Sequence, residues 1–185
     1  MEGMMRCSAN YVPLTPISFL ERSAVVYGDR VSIVYGDVRY TWRETHERCT
    51  RLASALAQLE ISRGDVVAAL APNIPATYEL HFGVPMAGAV LCTLNTRYDS
   101  AMVSVILENL EAKIIFVDYQ FLDIVEGAID ILSQTSTKLP LLVLIPESEQ
   151  LSSQISTNLE YEGLLAGEVL ILRSGGQMMN GIQSR

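Results

Sequence analysis

From residue 65 onward, short apolar runs alternate with segments whose apolar residues recur at helical spacing. The apolar runs cover 66–70, 90–94, 114–117 and 141–145. They do not alternate polar with apolar residues, which is typical of strands buried on both faces of a parallel sheet. The intervening stripes, with a helical period, are Ala76, Leu80, Val84 and Ala87; Val103, Ile106, Leu107 and Leu110; and Phe121, Ile124, Val125, Ala128 and Leu132. Strand, helix and strand in this order predict βαβ units.

The chain before residue 65 has a different pattern. Thr15-Pro16 predicts a helix over 17–24, because threonine caps free amides and proline at the first position loses no hydrogen bond. Two β-type runs at 31–35 and 38–42 are joined by Gly36-Asp37, which predicts a tight hairpin. A second helix is expected after this hairpin. Its signals are a capping box from Thr41 to Glu44 and an apolar stripe of Cys49, Leu52, Leu56 and Leu59.

These patterns predict an α/β fold: a partial, doubly wound, mostly parallel sheet of at least four strands, with an N-terminal helix and β-hairpin. We expect a flexible N-terminus at 1–12, a folded unit at 13–166 and a disordered tail at 167–185. Within the folded unit, 147–158 is expected to be a surface loop and 161–166 a single helical turn.

Composition narrows the functional classes. Apolar residues make up 49% of the 185 residues and charged residues 18%, as in folded globular proteins. The net charge of −8 argues against a nucleic-acid partner, which needs clustered lysine and arginine. The longest strongly apolar run, 139–145, is far shorter than the roughly 20 residues of a membrane-spanning helix, so no span is expected.

Ligands of doubly wound sheets bind at the carboxyl ends of the strands, so those ends are the first candidates for a site. After the first run comes 71–75 (APNIP), where two prolines remove amides that a pyrophosphate would need. We interpret Asn73 as a helix cap in preference to a phosphate contact. After the second run, Arg97 is either an anion contact or a solvated charge, with Asp99 as a helix cap. Asp118, after the third run, is either a ribose contact or a structural residue.

Histidines and cysteines do not form a motif. His46 and His81 have no partners at metal-ligand spacing, so we expect a solvated and a packed or surface side chain, respectively. Cys7, Cys49 and Cys92 lie far apart without a C-x-x-C pair, as in proteins with reduced thiols. Cys49 and Cys92 are expected to be small buried hydrophobes. Nucleophile elbows, Walker loops and dinucleotide fingerprints do not occur in the sequence.

Several segments, in their order and spacing, resemble one family. They are 15–16 (TP), 19–24 (FLERSA), 38–42 (VRYTW), 63–68 (RGDVVA), 71–75 (APNIP), 86–90 (MAGAV), 94–97 (LNTR) and 112–118 (AKIIFVD). Together they resemble the N-terminal region of the AMP-forming acyl-activating enzymes, which include acyl-CoA synthetases, 4-coumarate-CoA ligase and luciferase. The resemblance is greatest to the plant acyl-activating enzymes and covers about 13–166 of the chain.

The resemblance implies an ATP-dependent carboxylic acid–CoA ligase, which forms an acyl-adenylate and then an acyl-CoA. ATP, Mg²⁺ and coenzyme A are therefore the expected cofactors of the full-length family, and none is expected in this chain. In the family, the phosphate loop, the adenine and ribose site and a catalytic lysine follow this region. Those motifs do not occur in this sequence, so no catalytic, cofactor-binding or metal residue is assigned.

The tail departs from the family pattern. The last ten residues, 176–185 (GQMMNGIQSR), can be encoded by GGC CAA ATG ATG AAT GGA ATC CAA TCG CG. Read two nucleotides later, this string gives Pro-Asn-Asp-Glu-Trp-Asn-Pro-Ile, which resembles the expected family sequence. We therefore hypothesise a frameshift that truncates a normal ligase. The idea fails if the transcript has no intact family frame downstream.

Two functions remain open from the sequence. One is the N-terminal region of a CoA ligase, inactive alone. The other is a non-catalytic binding or regulatory fragment that contacts a full-length ligase or shared partners, with a chaperone as a further partner. A carboxylic acid substrate is expected only for full-length relatives. We expect a cytoplasmic chain, with a peroxisomal location as the alternative for the full-length relative.

Overall fold

A parallel β-sheet organises the residues that the computed structural model describes, which are 14–135, 138–146 and 159–167. The strands are β1 (Val31–Tyr35), β2 (Val38–Thr41), β3 (Val66–Leu70), β4 (Val90–Thr93), β5 (Ile114–Asp118), β6 (Leu141–Ile145) and β7 (Leu159–Glu160). The helices are α1 (Pro16–Val26), α2 (Trp42–Gln58), α3 (Pro75–Met86), α4 (Ser100–Leu110), α5 (Leu122–Thr135) and α6 (Tyr161–Ala166), with a 3₁₀ turn at Tyr119–Phe121.

The main sheet has the strand order β4-β3-β5-β6-β7, and each neighbouring pair is parallel. The predicted α/β class with at least four parallel strands is therefore confirmed. All five residues of β5 are buried, as expected for a central strand. The prediction that every strand is buried on both faces is wrong for β4, where Val90 is 52% exposed. Strand β4 lies at the edge of the sheet, and only tertiary structure decides which strand does so.

Successive side chains of the central strands point into two different cores. On one face, Val67 and Ala69 of β3 pack in a cluster with residues of α2, α3 and α6. On the other face, Ala68 and Leu70 pack in a cluster with residues of α4 and α5. This alternation follows from the two-residue period of a strand. The result is a sheet between two helical layers, and the apolar stripes predicted from sequence supply the helix side of both cores.

The N-terminal elements begin where the sequence predicts. The Oγ1 of Thr15 accepts a hydrogen bond from the Ser18 amide at 3.2 Å and caps α1. The hairpin pairs β1 with β2 in antiparallel register. Its second strand ends at Thr41 and not at Trp42, because Thr41 caps α2: its Oγ1 accepts from the Glu44 amide at 3.3 Å, and the Glu44 carboxylate accepts from the Thr41 amide at 2.8 Å.

Helices α2 and α3 approach closely at Gly83. A Cβ placed on Gly83 would lie 2.5 Å from Cδ2 and 2.8 Å from Cγ of Leu52 on α2. Both residues are buried, so a side chain at position 83 would separate the two helices or displace Leu52. This contact brings the polar residues at the same helix–helix interface within reach of each other.

Several predictions fall outside the described residues. These are the flexible N-terminus at 1–12, the surface loop at 147–158, Cys7 and, apart from Gly167 at the end of α6, the tail at 167–185 with its frameshift. The single helical turn predicted at 161–166 is confirmed as α6, which is capped by Gly167 in the left-handed conformation with φ 83°.

Candidate functional site

The order in which strands are added to the sheet changes direction at β3. Strand β4 lies on one side of β3, and the following strand, β5, lies on the other. The carboxyl ends of β3 and β5 therefore flank a topological switch point, which is where ligands bind in open α/β sheets. A cleft of about 230 Å³ opens at this end of the sheet. Its walls include Tyr40, Arg48, Ile74, Asp118, Ile145 and Tyr161.

Arg48 on α2 lies at one wall of this cleft and binds a buried carboxylate behind it. Its Nε donates to Oε1 of Glu79 at 2.5 Å, and its Nη2 donates to Oε2 at 3.2 Å. Glu79 on α3 is fully buried, whereas 15% of the Arg48 side chain is exposed. A planar guanidinium matches a carboxylate in this two-pronged geometry, so the pair fixes the relative position of α2 and α3.

The outer edge of the same guanidinium binds α6. Nη1 and Nη2 of Arg48 donate to the two carboxylate oxygens of Glu162 at 3.1 and 2.6 Å. The neighbouring Tyr161 is buried, and its hydroxyl donates to Oε2 of Glu79 at 2.7 Å. The Arg48 guanidinium also lies 4.7 Å from the ring centre of Tyr40 in the hairpin. One arginine thus joins the hairpin, α2, α3 and α6.

The electrostatics of this cluster follow from burial and charge. Burial raises the pKa of Glu79, and the hydrogen bonds and charge of Arg48 oppose that rise. Burial and the nearby Glu79 carboxylate raise the pKa of Tyr161 well above its ordinary value, so the phenol stays protonated. Burial alone would lower the pKa of Arg48, but hydrogen bonds to Glu162 and Glu79 raise it above its ordinary value. The cation is therefore permanent.

The contacts of the cluster around Arg48 indicate a structural role. Every buried polar side-chain atom of the described residues has a hydrogen-bond partner. Both oxygens of Glu79 accept from Arg48 or Tyr161, and the Tyr161 hydroxyl is a donor to Glu79. A general base needs a lone pair that a substrate can reach, and the Glu79 carboxylate is fully buried behind these donors. We therefore assign the cluster the role of a clasp between segments of the chain.

Of the two helix caps predicted after strands β3 and β4, the structure contradicts one and confirms the other. Asn73 is not the cap of α3, because the cap is Ile74 and Pro75 starts the helix without a side-chain cap. The Thr77 hydroxyl closes this turn by donating to the carbonyl of Pro72 at 2.8 Å. Asp99 is confirmed as the cap of α4, with Oδ1 accepting from the Met102 amide at 2.8 Å.

The remaining polar residues considered as site candidates either make structural hydrogen bonds or are exposed to solvent. Arg97 is exposed, as expected for a solvated charge. Asp118 is 4% exposed, and its Oδ1 accepts from the Gln120 amide at 3.0 Å, which caps the 3₁₀ turn. His46 is half-buried on α2, so the predicted solvated position is only partly met. His81 lies exposed on α3, with Nδ1 2.7 Å from the carbonyl oxygen of Thr77.

The two cysteines in the described part of the chain differ in burial. Cys49 is fully buried, and its thiol lies 3.7 Å from the carbonyl oxygen of Glu79. Burial raises the pKa of this thiol to about 12, so it is unreactive at neutral pH. Cys92 is only half-buried because β4 is an edge strand, which corrects the prediction of full burial.

Within 14–135, 138–146 and 159–167, histidine, cysteine, aspartate and glutamate do not gather in groups of three or more that could hold an ion. None of the helices in those ranges has both the length and the apolar character needed to cross a membrane.

Sequence reasoning did not find the Arg48 cluster. A signal exists, since Arg48 precedes Leu52 by four residues and Glu79 follows Ala76 by three, so two opposite charges lie on the apolar faces of adjacent helices. Charged residues are rarely buried unless paired, so two such positions indicate an ion pair. The pairing with Glu162, 114 residues away, depends on the fold alone.

Comparison with known proteins identifies the family of this chain. The sequence model of the AMP-binding enzyme family matches residues 20–169. The chain belongs to the AMP-binding enzyme family. This match bears out the resemblance to acyl-activating enzymes that the sequence segments indicate.

Three plant relatives are similar over most of the chain. Probable acyl-activating enzyme 21 of Arabidopsis thaliana is 57% identical over 90% of this chain. Peroxisomal butyrate–CoA ligase of the same plant and peroxisomal trans-cinnamate:CoA ligase of Petunia hybrida are each 46% identical over 89% of it. The matched segments cover 30%, 29% and 31% of these proteins, so the chain spans about a third of the length of the relatives it matches.

Solved structures show the same fold within larger proteins. The anthranilate CoA ligase AuaEII superposes with a TM-score of 0.73 at 20% identity, covering 88% of this chain and 30% of that one. A long-chain-fatty-acid CoA ligase candidate from Rhodopseudomonas palustris superposes with a TM-score of 0.70 at 24% identity, covering 82% of this chain and 36% of that one. At this identity the likeness establishes the fold.

Proposed function

We propose that this chain is the N-terminal part of an ATP-dependent carboxylic acid–CoA ligase and is inactive alone. The observation that supports this most is the family match over residues 20–169, together with 46% identity to two plant acid–CoA ligases. The whole enzyme would join a carboxylic acid to AMP with release of pyrophosphate. It would then transfer the acyl group to the thiol of coenzyme A and release AMP.

The described residues at the cleft do not fit the phosphates of ATP or Mg²⁺. The turn after β3 contains Pro72 and Pro75, which have no amide hydrogen to offer a phosphate. The carboxylates at the cleft and behind it are engaged, since Glu162 and the buried Glu79 bind Arg48 and Asp118 caps a turn. The described residues supply a sheet, two helical layers and the Arg48 clasp that support a site completed elsewhere.

A chimera tests this proposal. Residues 20–169 would replace the matched segment of the Petunia trans-cinnamate:CoA ligase, and formation of trans-cinnamoyl-CoA would be measured by its thioester absorbance. We expect activity from the parent enzyme and the chimera, and none from the 185-residue chain. Turnover by the chain alone contradicts its inactivity. A chimera that melts cooperatively but does not form the thioester, beside an active parent, contradicts its assignment as part of a ligase.

The second function, a non-catalytic binding fragment, is favoured by one observation. The two strands of the β1–β2 hairpin have no buried residue, although six of their nine residues are apolar or aromatic. Co-purification of the chain with a full-length plant ligase, at stoichiometric amounts, would support this alternative. A chain that is purified from plant tissue without any ligase would count against it.

A further inference from the structure

Helix α6 forms part of the cleft wall, although its own sequence does little to fix its position there. It has six residues, and an isolated helix of that length is not stable in water. Its N-cap residue, Glu160, makes no side-chain cap hydrogen bond. The preceding strand, β7, has two residues and pairs with β6 alone in the described part of the chain. Contacts with other elements therefore decide where α6 lies.

Two kinds of contact hold α6, and they differ in direction. Tyr161, Leu164 and Leu165 are buried in the core cluster that includes residues of α2 and α3. Apolar burial of this kind is non-directional, so it holds α6 against the sheet without fixing its orientation. The bonds from Nη1 and Nη2 of Arg48 to both oxygens of Glu162 are directional. They fix the first turn of α6, which lines the cleft, relative to α2.

The two edges of the Arg48 guanidinium have different environments. Its bonds to Glu79 are buried, and their loss would leave an unpaired charge inside the protein. Its bonds to Glu162 lie at the surface, where the Glu162 side chain is 58% exposed. Exposed ion pairs contribute little to the stability of a fold. Loss of the outer pair can therefore shift the first turn of α6 while the chain stays folded.

We propose that Arg48, through Glu162, is a positioning residue for the ligase reaction. The cleft lies at the carboxyl ends of β3 and β5, where ligands of open α/β sheets bind. Arg48 acts by holding α6 at the cleft wall and does not itself contact a substrate. A displacement of about 1 Å near a reacting centre can lower the rate roughly a hundredfold. The inference rests on the proposed function, because it assigns the pair a part in that reaction.

The test uses the Petunia chimera, which contains the whole cluster. Glu162→Ala removes the surface pair and leaves the buried half of the cluster in place. Glu47→Ala is the matched control, because it removes another exposed carboxylate from an arginine, Arg51 on α2, at 3.7 Å. Formation of trans-cinnamoyl-CoA gives kcat and the KM for cinnamate, and thermal unfolding gives the folded fraction to which kcat is normalised.

The loss of the surface pair should appear in kcat and not in the melting temperature. We expect Glu162→Ala to lower kcat at least about tenfold and to change KM by less than about threefold, because a displaced wall disturbs the alignment of the reacting groups. Glu162→Gln keeps one oxygen as an acceptor, so it should retain more activity than the alanine variant. Glu47→Ala should keep kcat, and both alanine variants should melt close to the unchanged chimera.

Equal kcat values for the two alanine variants, beside an active chimera, would overturn the proposal and leave the proposed function standing. A chimera that melts cooperatively but is inactive removes the proposed function and this inference with it. If the chimera does not fold, hydrogen exchange is measured in the 185-residue chain. There, Glu162→Ala should speed exchange of the hydrogen-bonded α6 amides at least about tenfold relative to Glu47→Ala. Equal exchange would show that Arg48 does not hold α6, and the proposal is then wrong.

Discussion

The hairpin and the central strands have similar compositions but opposite environments. Strand β1 contains two valines, an isoleucine and a tyrosine in five residues, yet none of its residues is buried. Strand β5 contains two isoleucines, a phenylalanine and a valine, and all its residues are buried. The difference lies in what surrounds them, because β5 has strands on both sides and helices on both faces. β-type composition therefore predicts a strand, but its burial depends on the covering layers.

The two regions also differ in how they are tied to the rest of the chain. The central strands are held by two apolar cores, whereas the hairpin contacts the body through the ring of Tyr40 against Arg48 and the bond between Ser32 and Thr45 hydroxyls at 2.6 Å. We therefore expect changes in the sheet to lower stability and changes in the hairpin to leave the isolated chain unaffected.

Phe116→Ala in β5 should cause the largest loss. Phe116 is fully buried and packs edge-on against Tyr161 at 5.9 Å between ring centres. Removing a buried phenylalanine ring costs about 3–5 kcal/mol of unfolding free energy. Val34→Ala in the hairpin should change it by no more than about 0.5 kcal/mol, as for other surface sites. Urea unfolding followed by circular dichroism compares the two, and similar losses would show that the hairpin is already part of the core.

Arg48→Met should rank next and tests the clasp between the two regions. It leaves the Glu79 carboxylate buried without a cation, which for buried pairs costs several kcal/mol. We expect about 3 kcal/mol, at the low end of that range, because Arg48 keeps 15% exposure. The double variant Arg48→Met, Glu79→Met should recover part of the loss, since both buried charges are then absent although the buried Tyr161 hydroxyl loses its acceptor. If the double variant unfolds as readily as the single one, an uncompensated Glu79 charge is not the cause.

Gly83→Ala should destabilise by about 1–3 kcal/mol, because the new Cβ overlaps Leu52 and forces α2 and α3 apart. The matched control is Gly163→Ala on α6, where an added Cβ has no neighbour within 4 Å. This control should gain roughly 0.5–1 kcal/mol from the higher helix propensity of alanine. Thermal unfolding of both variants measures the difference. Equal shifts in the two melting temperatures would mean that the Gly83 contact is relaxed in solution.

Asp65→Asn should give the smallest effect, and one that depends on pH. Hydrogen bonds from Lys113 and from Ser62 lower the pKa of Asp65 from 3.8 to about 2. Because the folded value is depressed, the stabilisation is complete above the unfolded pKa and is lost as the pH falls from about 4 towards 2. Urea unfolding of wild type and variant at about pH 6 and pH 2.5 should give a stability difference that shrinks at the lower pH. A constant difference would contradict the Lys113 bond.

Much of the fold was predictable because its signals are local. The caps at Thr15, Thr41 and Asp99 depend on residues within three positions, and each is confirmed. The apolar runs of the central strands are equally local. The cap at Asn73 was mispredicted because Pro75 already starts the helix, which leaves Ile74 as the cap.

The candidate site was less predictable because its contacts are distant in sequence. Glu79 and Tyr161 are 82 residues apart, and only the parallel arrangement of β5, β6 and β7 brings α6 to the cleft. The edge position of β4, which exposes Val90 and half-exposes Cys92, likewise depends on strand order.

The sequence by itself determined the α/β class, the order of the elements, their caps and the family, because hydrophobic period, capping residues and motif order are written along the chain. Tertiary structure decided which strand lies at the edge, that one arginine joins four elements, and that an apolar hairpin remains uncovered. Those features depend on contacts between segments that are far apart in the sequence. Such contacts form only when the whole chain packs, so a local sequence pattern does not predict them.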